Sequence, residues 1–259
     1  MTATTDRSTL LAAFDELLQP ARFKDYGPNG LQVEGRREVR RIVSGVTASL
    51  ALIDAAIVAG ADAIFVHHGL FWRGQDGTVT GWMKQRLARL LAADINLYAY
   101  HLPLDAHPAL GNNAQLGAHL GLAAHDGAAG RFGEQELGFL GQRTDGAGFE
   151  GAADLAQHLK NKLNRPIVRV GRSLDAIKII AWCTGGAQGY FEDAIAAGAD
   201  AFITGEISEP QAHYARECNV AFFACGHHAT ERYGAPAVAA HVAAALGVAH
   251  QFIDIDNPA

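Results

Sequence analysis

Cysteine is scarce in this chain. Only Cys183, Cys218 and Cys225 occur among 259 residues, and none stands in a Cys-x-x-Cys pair. The odd number and wide spacing argue against a disulfide framework and against a zinc site built on thiolates. Buried free thiols in a reducing compartment are the expectation. Lys and Arg form no long run and the net charge is -6, which disfavours non-specific nucleic-acid binding, since that needs phosphate neutralisation. No apolar run reaches the roughly 20 residues of a membrane span. The stretch from Met1 to Leu11 is polar and lacks the apolar core of a signal peptide. No Gly-x-Ser-x-Gly element and no Cys–His dyad is present. These absences point to a soluble cytoplasmic protein with neither membrane nor nucleic acid as partner.

What the chain has is globular composition, with 49% hydrophobic and 19% charged residues. Its length allows one large domain or two small ones. Apolar spacing predicts a helix over Ser8 to Leu18, with Thr9 at or just inside its cap. A turn over Asp25 to Gly30 precedes a short strand at Leu31 to Glu34. Arg41 to Val46 reads as a strand, Ser49 to Ala59 as a helix, and Ala63 to Val66 as a strand ending at His67-His68. A helix over Met83 to Ala93, a strand over Asn96 to Tyr100 and a helix over Asn113 to Leu120 follow.

The segment Asp54-Ala-Ala-Ile-Val-Ala-Gly-Ala-Asp-Ala-Ile-Phe-Val matches Glu192-Asp-Ala-Ile-Ala-Ala-Gly-Ala-Asp-Ala-Phe-Ile-Thr. Each copy follows a strand candidate, Arg41 to Val46 or Ile177 to Cys183, and reads as strand, helix, Gly-Ala-Asp turn, strand. Two related α/β domains from an internal duplication are the inference. In register, His67 and His68 of the first copy face Gly205 and Glu206 of the second. Ligands tend to bind at the carboxyl ends of parallel strands, where His67-His68 and His101 fall.

Six of the 12 histidines lie in or beside three clusters: His67-His68, His101 to His107, and His227-His228. Adjacent residues of a regular strand point to opposite faces, so each ring of the first pair could serve a different ion once the geometry loosens at the strand end. In the second cluster, Asp105 is a hard oxygen donor on a loop stiffened by Pro103, and His101 is a ligand or a partner that orients one. In the third, helical spacing lets His227 or His228 share a face with Glu231. Together these residues offer donors for two metal ions with positions left for water, which is hydrolytic chemistry. Thr184-Gly-Gly-Ala-Gln-Gly189 follows a strand and reads as a tight turn before a helix, with phosphate binding as the competing reading. Glu206, His213, Trp72 and Arg73 are weaker candidates near the same cleft.

Val66-His67-His68-Gly69-Leu70-Phe71-Trp72, Tyr100-His101 with Leu104-Asp105-Ala106-His107, and Gly226-His227-His228-Ala229-Thr230-Glu231-Arg232 resemble the GTP cyclohydrolase I type 2 homologues, the NIF-three-like dinuclear-metal proteins. Asn29 to Val33, Thr204-Gly205-Glu206 and Phe252 to Ile255 look like the same family, so the resemblance covers nearly the whole chain. It implies a NIF-three-like fold, assembly with itself as a toroidal homohexamer, and two divalent metal ions per chain (iron, zinc or manganese). The implied ligands are His67, His68, Asp105, His227 and Glu231, which leaves His101 as the catalytic or orienting residue.

The expectation is therefore a first domain of residues 1–125 plus 218–259, the tail returning to bring His227 and Glu231 to His67 and His68, and a second domain of residues 126–217. The expected function is a dinuclear metal-dependent hydrolase of GTP cyclohydrolase type. A metal-bound hydroxide would open a purine nucleotide ring and His101 would carry the proton. The alternative is a non-catalytic protein that stores, delivers or senses iron or zinc.

Overall fold

The computed structural model describes residues 3–171 and 176–259; the first two residues of the polar amino-terminal stretch lie outside them. In chain order the elements are β1 (Thr5–Asp6), α1 (Arg7–Leu18), β2 (Gly30–Val33), β3 (Glu38–Val39), β4 (Arg41–Thr47), α2 (Leu50–Val58), β5 (Ala63–His68), α3 (Gly81–Ala93), β6 (Asn96–Ala99), α4 (Leu102–Ala106), α5 (Asn112–Leu120) and β7 (Leu122–Ala124). There follow β8 (Arg131–Phe132), β9 (Gly138–Arg143), α6 (Ala152–Leu163), β10 (Val168–Val170), β11 (Ile180–Trp182), α7 (Phe191–Ala196), β12 (Ala201–Thr204), α8 (Glu209–Glu217), β13 (Ala221–Ala224), α9 (His227–Glu231), α10 (Gly234–Leu246) and β14 (Ala249–Phe252). None of these helices is long and apolar enough to cross a membrane.

The mixed α/β architecture expected from the sequence is present, in two compact units. The first unit comprises Met1–Gly111 and Arg232–Asp256. Its sheet runs β14-β4-β5-β6-β2. Strands β14, β4, β5 and β6 are parallel, and β2 closes the edge antiparallel to β6. Strand alternation divides the core in two. Ile42, Phe65 and Tyr98 pack with Leu10, Phe14 and Leu18 of α1 and with Val238 and Val242 of α10. Val43, Ile64, Val66 and Leu97 pack with Leu52 and Ile53 of α2 and with Met83 and Leu90 of α3. Each fully buried Leu, Ile or Phe contributes about 1.5–3 kcal/mol. Helix α1 starts one residue before its expected start, and its cap is Asp6, whose carboxylate accepts the Ser8 N–H, not Thr9.

The second unit comprises Asn112–Glu231 and Asn257–Ala259. Its sheet runs β10-β13-β12-β11-β9-β7, with β8 beside β9. Strands β11, β12 and β13 are parallel, and β10 closes the edge antiparallel to β13. Phe191, Phe202 and Phe222 form one aromatic cluster. Trp182 packs on Phe139 and donates its indole N–H to the Asn113 carbonyl.

These boundaries differ from those expected. Residues 112–125 belong to the second unit because Gly117 of α5 lies directly on the Trp182 ring, with room for no side chain. Residues 218–231 belong there too. The Thr230 hydroxyl accepts the Gly185 N–H, which ties α9 to the turn after β11. His227 and Glu231 thus fall in the second unit and not in the domain that carries His67.

The two Gly-Ala-Asp turns do the same work in each unit. The Asp62 N–H donates to Arg41 O, its carboxylate accepts the Arg40 and Arg41 N–H groups, and its carbonyl accepts the Asn96 N–H. The Asp200 N–H donates to Ile179 O, its carboxylate accepts the Lys178 and Ile179 N–H groups, and its carbonyl accepts the Ala221 N–H. One carboxylate thereby fixes the start of one strand while its backbone fixes the next.

Candidate metal centre

His67 and His68 end β5. They do not point apart as strand alternation would have them. Their ring centroids are 4.5 Å apart and tilted by 44°, because the strand ends here and His68 O turns back to accept the Ala48 N–H. His67 is fully buried and its Nδ1 lies 3.2 Å from the Tyr100 carbonyl oxygen. A carbonyl can only accept, so Nδ1 carries the proton and Nε2 the lone pair. That Nε2 stands 3.5 Å from Asp105 Oδ1. A lone pair facing a carboxylate is repulsive unless a cation or proton lies between them. Two donors each about 2.1 Å from a shared ion at a tetrahedral angle stand about 3.4 Å apart, so the spacing fits a divalent cation. The Nδ1 of His68 is 3.0 Å from the Thr47 hydroxyl, which fixes that ring in turn.

Asp105 is not on a loop as expected. Leu102 to Ala106 form the short helix α4, with Pro103 in its first turn, where no N–H is needed. The helix buries Asp105 and turns its carboxylate to His67. His67, His68 and His101 bring one ring nitrogen each to within 4.8 Å of one another, a grouping that could hold an ion.

His101 caps α4 and is held by residues that the sequence had offered only as a turn. Its Nδ1 lies 2.7 Å from Asp25 Oδ1, and its backbone N–H donates to Asn29 Oδ1. Asp25 also accepts the N–H groups of Leu102 and Tyr26 and the Asn29 amide. Burial opposes ionisation of Asp25. The His101 hydrogen bond and charge, with Asn29 and Tyr26, outweigh it and hold the carboxyl below its usual range. Trp72 meets His101 edge-on at 5.0 Å. A small cavity is lined by Pro28, Gln32, His67, Phe71, Trp72 and His101. Arg73 turns away and donates to the Asp25 carbonyl. His107 also lies outside the cluster: its Nδ1 accepts the N–H groups of Ala109 and Leu110.

In the second unit, His227 and Glu231 occupy α9 four residues apart. His227 Nε2 is 3.1 Å from Glu231 Oε2, and His227 Nδ1 is 2.6 Å from Glu206 Oε1. The Glu231 hydrogen bond acts against burial and, with the charges of Glu231 and Glu206, pushes the imidazole up to about 9. A histidine anchored through Nδ1 to a carboxylate and facing a second donor through Nε2 is a metal-ligand arrangement. Glu206, a weak candidate from sequence, is thereby placed on His227. His213 is not: it pairs with exposed Glu209 one helical turn away. The glycines after β11 make room for this pair. At Gly185, φ is +70° and an added Cβ would lie 1.9 Å from Glu231 Oε1. Of the cysteines, Cys183 and Cys225 are buried as expected, while Cys218 is exposed.

Of the residues that hold these side chains in place, Asp25 and Asn29 fall in the turn expected from the sequence, whereas Thr47 carries no signal of its own.

Comparison with known proteins places the chain among relatives that match it over nearly its whole length. The chain is 50% identical over 255 residues to the GTP cyclohydrolase 1 type 2 homolog of Allochromatium vinosum, covering 98% of each chain. It is 46% identical over 250 residues to the protein of the same name from Escherichia coli K12, covering 95% of this chain and 96% of that one. Among solved structures, the protein ybgI, described as of unknown function, superposes with a TM-score of 0.91 at 44% identity, covering 98% of this chain and all of that one. A Thermus thermophilus protein superposes at 0.84 with 32% identity, again over 98% of this chain and all of that one. The model of the Duf34/NIF3 (NGG1p interacting factor 3) family matches residues 5–258, and the chain belongs to that family.

Proposed function

We propose that this chain is a metal-dependent hydrolase of the GTP cyclohydrolase type, a soluble cytoplasmic homohexamer in which His67, His68, Asp105, His227 and Glu231 hold two divalent ions. The observation that carries the reading is the His67–Asp105 pair. A buried imidazole whose tautomer is fixed by a backbone carbonyl turns its lone pair to a carboxylate at ligand–ligand distance. His227 with Glu231 and Glu206 supports it from the other unit. So do the names of the relatives, GTP cyclohydrolase 1 type 2 homologs.

A bound divalent cation supplies Lewis acidity, lowering the pKa of water and polarising a substrate oxygen. The protein's own part is to hold the donors rigidly and to move protons. His101 Nε2 accepts one proton of the attacking water and returns it to a nitrogen of the ring that opens. Trp72 and Phe71 line the cavity.

We also propose that the two units arose by duplication. Residues 41–68 and 179–206 share one offset of 138 without a gap, down to the hydrogen bonds of Asp62 and Asp200. The ring-shaped hexamer is tested by mass in solution.

The test of function is metal content per chain and GTP turnover for the wild type, His68→Ala and Glu231→Ala. The hydrolase reading expects metal-dependent turnover that both variants lose. Turnover that survives metal removal refutes the mechanism. Full loading with no turnover on any nucleotide moves the protein to the storage, delivery or sensing of iron or zinc.

A further inference from the structure

We infer that Asp25 is the positioning residue of His101, and that the Asp25–Asn29 turn exists to present His101 Nε2 to the cavity as its proton-accepting atom. This rests on the hydrolytic reading above for what the proton transfer is used for, but not for the arrangement itself.

The Asp25 side chain is 3% exposed and its carboxylate is surrounded by donors: the N–H groups of Tyr26 and Leu102, the Asn29 amide and the His101 ring. A carboxylate fully occupied by donors stays ionised and can only accept. The His101 nitrogen that faces it therefore carries the proton, and Nε2 is left with the lone pair. Asn29 adds a second hold: its amide nitrogen binds Asp25 while its oxygen takes the His101 backbone N–H. Ring and backbone of His101 are thus gripped by one five-residue turn. Gly27 of that turn could not be any other residue, since a Cβ there would lie 2.4 Å from the Phe71 carbonyl. The turn is thereby seated on the segment that carries Trp72, and Trp72 meets the His101 ring edge-on at 5.0 Å.

The His101 side chain is 20% exposed, whereas that of His67 is fully buried. His101 therefore has the access to cavity and solvent that a proton carrier needs. In the hydrolytic step, the water oxygen bonds to the ring carbon and the π pair of its C=N bond moves onto the nitrogen, as one water proton passes to Nε2. The imidazolium so formed is stabilised by ionised Asp25. The proton then leaves Nε2 for the nitrogen that took the π pair, the hydroxyl proton passes to the second nitrogen as its single bond to carbon breaks and C=O forms, and neutral His101 is restored. Asp25 gains no proton at any point.

The experiment reads the His101 tautomer directly, by long-range proton–nitrogen correlation in zinc-loaded protein labelled at histidine, with the signal assigned by its loss in His101→Gln. The expected wild-type spectrum shows Nδ1 protonated and Nε2 bare. In Asp25→Asn, an amide can donate to Nδ1 and leave the proton on Nε2, so the tautomer should reverse while zinc per chain is unchanged. A wild type with its proton on Nε2, or a variant that keeps the wild-type tautomer, overturns the inference; the wild-type measurement stands even where the variant does not fold. With GTP, Asp25→Asn should lower kcat by about 10²-fold or more, the range for loss of a positioned acid–base group, with KM changed little. The expected tautomers in a wild type that turns over nothing would sink the hydrolytic reading and leave the positioning role of Asp25 supported.

Discussion

Replacing Gly185 by alanine separates what the fold requires from what the metal centre requires. The residue adopts φ +70°, where a non-glycine residue costs about 1–2 kcal/mol. An alanine Cβ there would lie 1.9 Å from Glu231 Oε1 and 3.2 Å from His227 Nε2. Ordinary contact between such atoms is about 3.2 Å or more, so the carboxylate must move by over about 1 Å. It is the far end of a flexible side chain, so the fold can yield at little further cost. A ligand oxygen cannot, because metal sites tolerate only about 0.2 Å. Two controls isolate the terms. Gly60 has φ +68° with nothing near an added Cβ, and Gly189 has neither a positive φ nor a near neighbour. In thermal melts, Gly185→Ala and Gly60→Ala should both lose about 1–2 kcal/mol, a Tm fall of roughly 2–8 °C for a chain of this size, and Gly189→Ala almost nothing. In zinc titrations only Gly185→Ala should weaken binding, by more than about 10-fold, since even an outer contact to a ligand is worth 10–100-fold. Wild-type zinc affinity in Gly185→Ala would refute Glu231 as a ligand held against that turn.

Asp62→Ala and Asp200→Ala should each destabilise by about 1–3 kcal/mol in denaturant unfolding, because each leaves two strand-start N–H groups without their carboxylate; an effect confined to one of them would count against the proposed duplication. Chelation of metal-loaded protein should lower Tm, with about 2.7 kcal/mol lost on going from free metal at 100-fold Kd to none, and added zinc should restore it; an unchanged melt would refute a site formed only in the folded protein. Asp25 is depressed in the folded state, so its stabilisation is complete above the unfolded carboxylate value of about 3.9 and is lost as pH falls through the lower folded value. Asp25→Asn should therefore flatten the acid limb of the stability curve below about pH 4, as read by urea midpoints, and an unaltered limb would refute the depressed state. Glu206→Gln should reduce zinc affinity about 10–100-fold with an unchanged melt, since Glu206 orients His227 through Nδ1; equal affinity would make that hydrogen bond incidental.

How much of this was legible in the sequence follows from what kind of signal each residue leaves. The β5 run Ala63 to Val66 and the α2 stripe are apolar patterns that only one secondary structure satisfies, so their ends fall within two residues of the expected ones. His67, His68, His101, Asp105, His227, His228 and Glu231 stand out because these donor types cluster; the choice of five ligands among them is what the family resemblance implies. The unit boundary does not stand out, because it follows no change of composition. The Ala- and Gly-rich stretch after His125 is the stronger compositional signal, and it lies inside the second unit. Asp105 was read as a loop residue since a five-residue helix is too short to show a period. Asp25, Asn29 and Thr47 leave no trace as site residues in local spacing because their hydrogen bonds to the histidines span 76, 72 and 21 positions.

The proposed duplication also explains why the donors differ between units. In each, the third parallel strand runs into a five-residue helix, β6 into α4 and β13 into α9. In each, a histidine at the start of that helix has its Nδ1 on a carboxylate, Asp25 for His101 and Glu206 for His227. Yet the anchors come from different places. Glu206 follows β12 at the position that corresponds to His68, whereas Asp25 comes from a turn before β2, with no counterpart at that site. A shared ancestor supplies the scaffold and the helix start, not the carboxylates. On that proposal each unit acquired its own anchor, and the one at the strand end, Glu206, stands at the position that the first unit gives to His68. The paired histidines and the Glu206 anchor are thus alternatives at one structural position.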